Sequence, residues 1–209
     1  MQKLTKRKQQ ALETRKKILD TSIDLVNEYG YDNVSVDRIC GACNISKGAF
    51  YHHFRSKIDI LSESEAHINE VLKQTLAECH DMRIEQRLLI FSNSLIDVAE
   101  KTGFEFTRQR SKYVISGEYI DDYTQTSYAI YSRKLISDLI NESVINGELL
   151  KNTPVDLLTD TLMIFLSGLI TDWCTFNGSY SISEKSWKLT PLLIRGLILP
   201  YKNSEYKER

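Results

Sequence analysis

No proline interrupts the first 153 residues of this 209-residue chain; its prolines stand at positions 154, 191 and 200. A proline inside a helix removes a backbone hydrogen bond and collides with the preceding turn. Its absence over so long a stretch leaves helices free to run. Strands would announce themselves by alternating β-branched residues, and the best such stretch, Asn33-Val-Ser-Val36, is too short. There is no internal repeat and no low-complexity tract. The expected fold class is all-α.

Charge divides the chain unevenly. Residues 1–60 carry 11 Lys and Arg against 7 Asp and Glu, so the overall −1 hides a basic N-terminal part joined to an acidic body. Residues 1–17 alone hold seven basic residues and one acid, Glu13. Such asymmetry points to a polyanion as partner of the N-terminal part. The basic start is not followed by an apolar stretch, so it does not read as a signal peptide. The longest apolar run, Leu162-Met-Ile-Phe-Leu166, falls far short of the roughly 20 residues that span a bilayer, and no membrane partner is expected. The chain reads as cytoplasmic, with Cys40, Cys43, Cys79 and Cys174 as reduced thiols.

The N-terminal part resolves into short helices. Ile18, Ser22, Leu25, Val26 and Tyr29 share one face of a helix starting near Thr14, with Gly30 at its end. Ser35 can cap a second helix, with Asp37 in its first turn. Val36, Ile39, Cys40 and Cys43 share that helix's apolar face, and Asn44 tolerates the left-handed conformation that ends it. Ser46 can cap a third helix through Phe54, and a fourth opens at Ser56 and runs to about His80. A three-to-four-residue turn between the second and third helices is a helix-turn-helix pattern, over about residues 34–54.

The third helix has the chemistry for a major groove. Gly48 and Ala49 are small and let its N-terminal end approach base edges, while Phe50 and Phe54, four apart, anchor the opposite face. Tyr51, His52 and Lys57 offer donors to phosphates. Cys40-Gly-Ala-Cys43 has Cys-x-x-Cys spacing, but its cysteines share an apolar face and have no second ligand pair, so they read as buried fillers. No metal and no cofactor is expected.

Gly30, Ser35, Ile39, the run Ile45-Ser-Lys-Gly-Ala-Phe-Tyr-His-His-Phe54 and then Ser56-Lys57 resemble the DNA-binding signature of the TetR family of bacterial repressors. The likeness covers roughly residues 11–71. It implies an all-helical homodimer, with that N-terminal DNA-binding domain and a C-terminal ligand-binding and dimerisation domain over about 80–200. It also implies Ser35, Lys47, Tyr51, His52 and Lys57 at phosphates, Gly48 and Ala49 at bases, and Arg15 and Lys16 along the DNA backbone. Ser46 opens the recognition helix of the same signature. The chain departs from the family pattern at Cys40 and Cys43 (usually alanine), Asn44 (often glycine) and Ala49 (commonly threonine).

Beyond residue 80 the pattern is of long helices: Arg83–Lys101 ended by Gly103, Phe104–Ile115, and Asp121–Val144 ended by Asn146-Gly147. Thr153 caps a further helix, with Pro154 at its first position and Asp156 in its first turn, running to about Phe176. The last runs from Ser183 to Leu199, with Pro191 kinking it. The helix over 154–176 is apolar nearly all round and must be covered on more than one side. A second subunit packed against helices 154–176 and 183–199 would do this, and Gly168 and Gly196 would permit close approach. The family resemblance implies the same interface. Aromatic Phe104, Tyr113, Tyr128, Tyr131, Phe165 and Trp173 are candidates to line a pocket for a small hydrophobic or aromatic effector.

The expected function is a ligand-released repressor that binds a palindromic operator in double-stranded DNA. An activator or an effector-independent DNA-binding protein of the same fold is the alternative. No phosphate loop, metal-ligand pair or catalytic-triad motif points to an enzyme.

Overall fold

Helix formation along this chain is governed by residues that satisfy the backbone groups a helix leaves open at its ends. The computed structural model describes residues 5–116 and 128–206. Its helices are α1 (Lys6–Tyr29), α2 (Val36–Cys43), α3 (Lys47–His53), α4 (Ile58–Glu78), α5 (Ile84–Thr102), α6 (Phe104–Ser116), α7 (Tyr128–Ile145), α8 (Val155–Thr175) and α9 (Ile182–Ile198). Among the described residues there is no strand, only an isolated bridge between Leu149 and Lys202. The all-α class therefore holds.

Several boundaries differ from those the sequence suggests. α1 starts eight residues before Thr14: Thr5 caps it, its hydroxyl accepting from the Lys8 amide at 3.4 Å. The added turns are mostly exposed Lys, Arg, Gln and Glu, with only Ala11 and Leu12 apolar, good helix formers that leave no apolar periodicity to detect. Pro154 is the cap residue of α8, not its first helical residue, and its carbonyl accepts from the Leu158 amide at 3.1 Å. The Thr153 hydroxyl points back to the Leu150 carbonyl at 2.5 Å. α9 passes through Pro191. Of the helix expected over 121–144, residues 121–127 lie outside the described residues, as do residues 1–4 of the basic N-terminal stretch.

The chain forms two compact units. The first comprises residues 5–65 and 102–116. Its core joins Ile18, Leu19 and Val26 of α1, Ile39, Cys40 and Cys43 of α2, Phe50 of α3 with Phe54 after it, Ile60 and Leu61 of α4, and Phe106 and Tyr113 of α6. Thus α6 packs on α1. One side chain makes the joint. Asn27 Nδ2 donates to the Thr102 carbonyl at 2.7 Å, and its Oδ1 accepts from the Phe106 amide at 3.1 Å. Gly103 lies between them at φ +92°, and a Cβ there would fall 2.4 Å from Asn27.

The second unit comprises residues 66–101 and 128–206. Buried Glu148 accepts the Ile84 amide at 2.9 Å, capping α5, and the C-terminal tail pairs with the same segment through Leu150 and Tyr201. Burial alone would raise the Glu100 carboxyl. Hydrogen bonds from Ser183 and Ser181 and from the amides at the start of α9 outweigh it and hold the carboxyl below the usual range. α8 is long and apolar enough to cross a membrane by length and composition only. Its buried side, from Leu158 through Leu162, Met163, Leu166 and Ile170 to Trp173, is that of a core helix. On its other side Leu157 and Ile164 (69% exposed) face outward, as do Leu192 (71%) of α9 and Leu199 just after it. The Cβ positions of Gly168 and Gly196 meet open space.

Gly103→Ala should lower stability by about 1–3 kcal/mol, because it adds backbone strain and displaces the Asn27 amide from both its partners. In an Asn27→Ala background the same change should cost measurably less. Denaturant unfolding of the two single variants and the double variant checks this.

Candidate nucleic-acid interface

The α2–turn–α3 segment is held by its own caps. Ser35 Oγ accepts from the Arg38 amide at 3.2 Å, and Ser46 Oγ accepts from the Ala49 amide at 3.1 Å. Between them Asn44 adopts the left-handed conformation (φ 54°, ψ 50°). Its amide bonds Gly41, and that of Ile45 bonds Cys40, which closes α2 by the paired pattern of a Schellman motif. Asparagine thus supplies the turn that the family often makes with glycine. Cys40 and Cys43 are buried and free, filling the space beneath the turn, and burial pushes the Cys40 thiol up.

Phe50 and Phe54 fasten α3 from below, both buried, with ring centroids 5.8 Å apart. Opposite them Lys47, Gly48, Tyr51 and His52 are exposed, Tyr51 by 54%, and Ala49 is half-buried. A Cβ on Gly48 would meet no described atom closer than Ser46 Oγ, at 3.8 Å, and its φ is not in the left-handed region. Neither packing nor backbone conformation inside the protein calls for glycine here. Ser35, Ser46 and Lys16 are exposed as well. Lys47 Nζ lies 2.6 Å from Asp37 Oδ1 of α2. The hydrogen bond to Asp37 and its charge raise the Lys47 ammonium and keep it protonated.

Two cations expected at phosphates are engaged inside the unit instead. Arg15 makes a bidentate pair with Glu63, at 2.7 and 2.5 Å, and donates to the His53 carbonyl at 2.6 Å. Its guanidinium also lies 4.6 Å from the Phe54 ring centroid. Lys57 donates to the carbonyls of Tyr31 and Val34, at 2.7 and 2.9 Å, and lies over the Tyr31 ring. Burial lowers its ammonium, the direction expected of an inward-facing lysine. The physical reason is common to both: carbonyls at the end of α3 and in the turn after α1 have acceptor capacity that these cations fill. Sequence reasoning missed Glu63, Asn27 and the Asp37 contact, since no helical spacing links residues 10 to 79 positions apart.

The aromatic candidates separate. Tyr113 belongs to the core of the first unit; Phe104, half-buried, lies in the same unit under the Arg108 guanidinium. Tyr131 and Phe165, both half-buried, and buried Trp173 belong to the second. The Trp173 indole donates to the Tyr180 carbonyl at 2.9 Å, a bond that closes the α8–α9 connection. The side chain of Tyr128 lies outside the described residues.

Comparison with known proteins places these observations. Residues 18–63 match the family described as bacterial regulatory proteins, tetR family. The HTH-type transcriptional regulator AcrR of Shigella flexneri is 28% identical over 205 residues, covering 93% of this chain and 94% of that protein. The biofilm operon icaADBC negative transcriptional regulator IcaR of Staphylococcus aureus (strain Newman) is 44% identical over 48 residues, 23% of this chain and 26% of its own. The solved structure of the transcriptional regulator FadR from Bacillus subtilis in complex with stearoyl-CoA matches with a TM-score of 0.69 at 17% identity. That match covers 87% of this chain and 98% of that one.

Gly48→Ala should leave thermal stability unchanged or raise it by up to about 1 kcal/mol, since alanine is the better helix former and the site has room. The same variant should lose affinity for DNA, because the added methyl stands on the face left open. Melting and DNA titration of one preparation check both halves.

Proposed function

The chain is a member of the TetR family of bacterial regulatory proteins, and on that premise we propose that it is a ligand-released transcriptional repressor. It binds a palindromic operator as a homodimer. As a transcriptional regulator and not an enzyme, it acts through binding equilibria alone. The observation that carries the DNA-reading assignment is the open ground around Gly48, on a helix locked from below by Phe50 and Phe54 and capped by Ser46. A surface that is rigid underneath and bare at its N-terminal end suits the floor of a major groove.

Within this reading residues 11–71 form the DNA-binding domain, completed by α6, and residues 80–200 supply the effector and dimer functions. Gly48 and Ala49 face bases. Lys47, Tyr51, His52, Ser35, Ser46 and Lys16 contact phosphates, while Arg15 and Lys57 hold the frame. The dimer forms through the outward apolar stripe of α8 and α9, where open Gly168 and Gly196 let a partner's helices come close. Two recognition helices then read half-sites roughly 34–36 Å apart. The effector is small and hydrophobic or aromatic, and binding it favours a dimer conformation that no longer fits the operator. Tyr131 and Phe165 are its candidate contacts in the second unit.

Selection from a random duplex pool should enrich an inverted repeat, bound with a steep loss of affinity as salt rises, about 0.9 log units per log unit of salt for each phosphate contacted. Enrichment of no sequence would sink the operator assignment. A compound screen against the selected site should then find apolar molecules that release the protein. Molecules that only tighten binding would make it an activator or co-repressed protein. Ile164→Glu and Leu192→Glu should each shift the dimer to monomer in sedimentation while helical content is kept. Operator affinity should fall with them, and a dimer that survives both changes lies elsewhere on the surface.

A further inference from the structure

Arg15 and Lys47 are both cations paired with an acid in the DNA-binding unit, and the two pairs are built differently. Arg15 is held by two carboxylate oxygens, a carbonyl and an aromatic face, half-buried between α3 and α4. Lys47 is held by a single ion pair, to Asp37 Oδ1, with side chains 60% and 65% exposed on lysine and acid. A single exposed ion pair is weak and exchanges with solvent or with another anion. This one joins the first turn of α2 to the first residue of α3. It therefore lies on the same open ground as Gly48 and Tyr51. An acid at that place faces the phosphates of any bound duplex, and it occupies the ammonium of the first residue of the recognition helix.

We propose that Asp37 is a specificity-determining residue, which withholds Lys47 from phosphates in general and releases it only at the cognate sequence. This rests on the DNA-reading function argued above. On an arbitrary duplex Asp37 competes with the phosphates for Lys47, so each protomer gains less from that contact, and the Asp37 charge repels the backbone. At the matched site the close fit around Gly48 brings an acceptor within reach of Lys47, which then exchanges partners. The acid thus lowers non-specific affinity more than specific affinity. A regulator that must find one site among a genome of competitors depends on that ratio and not on affinity alone.

The test compares wild type, Asp37→Asn, Lys47→Gln and the double variant on two probes, the selected site and a scrambled duplex of the same length. Salt is varied between 50 and 200 mM. Asp37→Asn should tighten binding to the scrambled duplex and steepen its salt dependence by about 0.9 per protomer, so that its advantage over wild type shrinks by roughly threefold between 50 and 200 mM for each phosphate that Lys47 newly reaches. Affinity for the selected site should change less, so the ratio between probes narrows. Lys47→Gln should weaken the selected site far more than the scrambled one. In the Lys47→Gln background, Asp37→Asn should no longer steepen the salt dependence. Equal changes on both probes, in either direction, or no change at all would overturn the proposal and leave Asp37 a positioning residue for α3. If Asp37→Asn fails to fold, the unequal effect of Lys47→Gln remains as an independent test, and equal losses on the two probes would overturn the idea. A wild type that prefers neither duplex defeats the DNA-reading function itself, an outcome distinct from the failure of Asp37 alone.

Discussion

The Arg15 guanidinium joins three helices at one point. From α1 it reaches the Glu63 carboxylate of α4, the open His53 carbonyl at the end of α3 and the face of Phe54. A planar, permanently charged fork can satisfy all of these at once, and a lysine could not. Glu63 raises its basicity further, chiefly by hydrogen bonding. The orientation of α3 depends on this contact. Its N-terminal end is set by the Ser46 cap and the Asn44 turn, and its C-terminal end by Arg15 and the burial of Phe50 and Phe54. Lys57 does the same for the turn before α2, donating to the carbonyls of Tyr31 and Val34.

The surface proposed to read DNA therefore relies on cations turned inward as well as on those turned outward. Burial and carbonyl geometry decide which is which, and neither is a property of the charge itself. The basic excess of residues 1–60 is in part structural.

Much of the first unit was legible in the chain. Gly30, Ser35, Asn44 and Ser46 end or start helices where their backbone and hydroxyl chemistry says they should, and the apolar faces of α1 to α3 meet in one core. Local signals sufficed because caps and periodicity act within a turn or two. What stayed hidden acts across long separations. Nothing near Asn27 in sequence shows that it receives the α5–α6 joint, 75 positions away. Arg15 and Lys57 look like any exposed cation until their carbonyl partners are placed. The polar start of α1 has no apolar face to betray it, and the aromatic residues of α6 carry the same periodicity whichever unit they enter. Tyr113 is core on α6 and Tyr131 half-buried on α7, a difference that only the path of the chain decides.

The docking of α6 on α1 has a consequence for how the protein comes into being. Phe106 and Tyr113 fill the same core as Ile18 and Ile39, so the reading head is not a contiguous stretch of chain. On the ribosome, α1 to α3 emerge first, yet their core lacks two aromatic side chains until synthesis has passed residue 113. Packing closed over so many residues carries a loop-closure cost and forms late. Until then a basic, partly open helix cluster is tethered to its own translating complex, rich in polyanion. The core of the first unit is complete only when the chain is more than half made, which ties its formation to synthesis of part of the second.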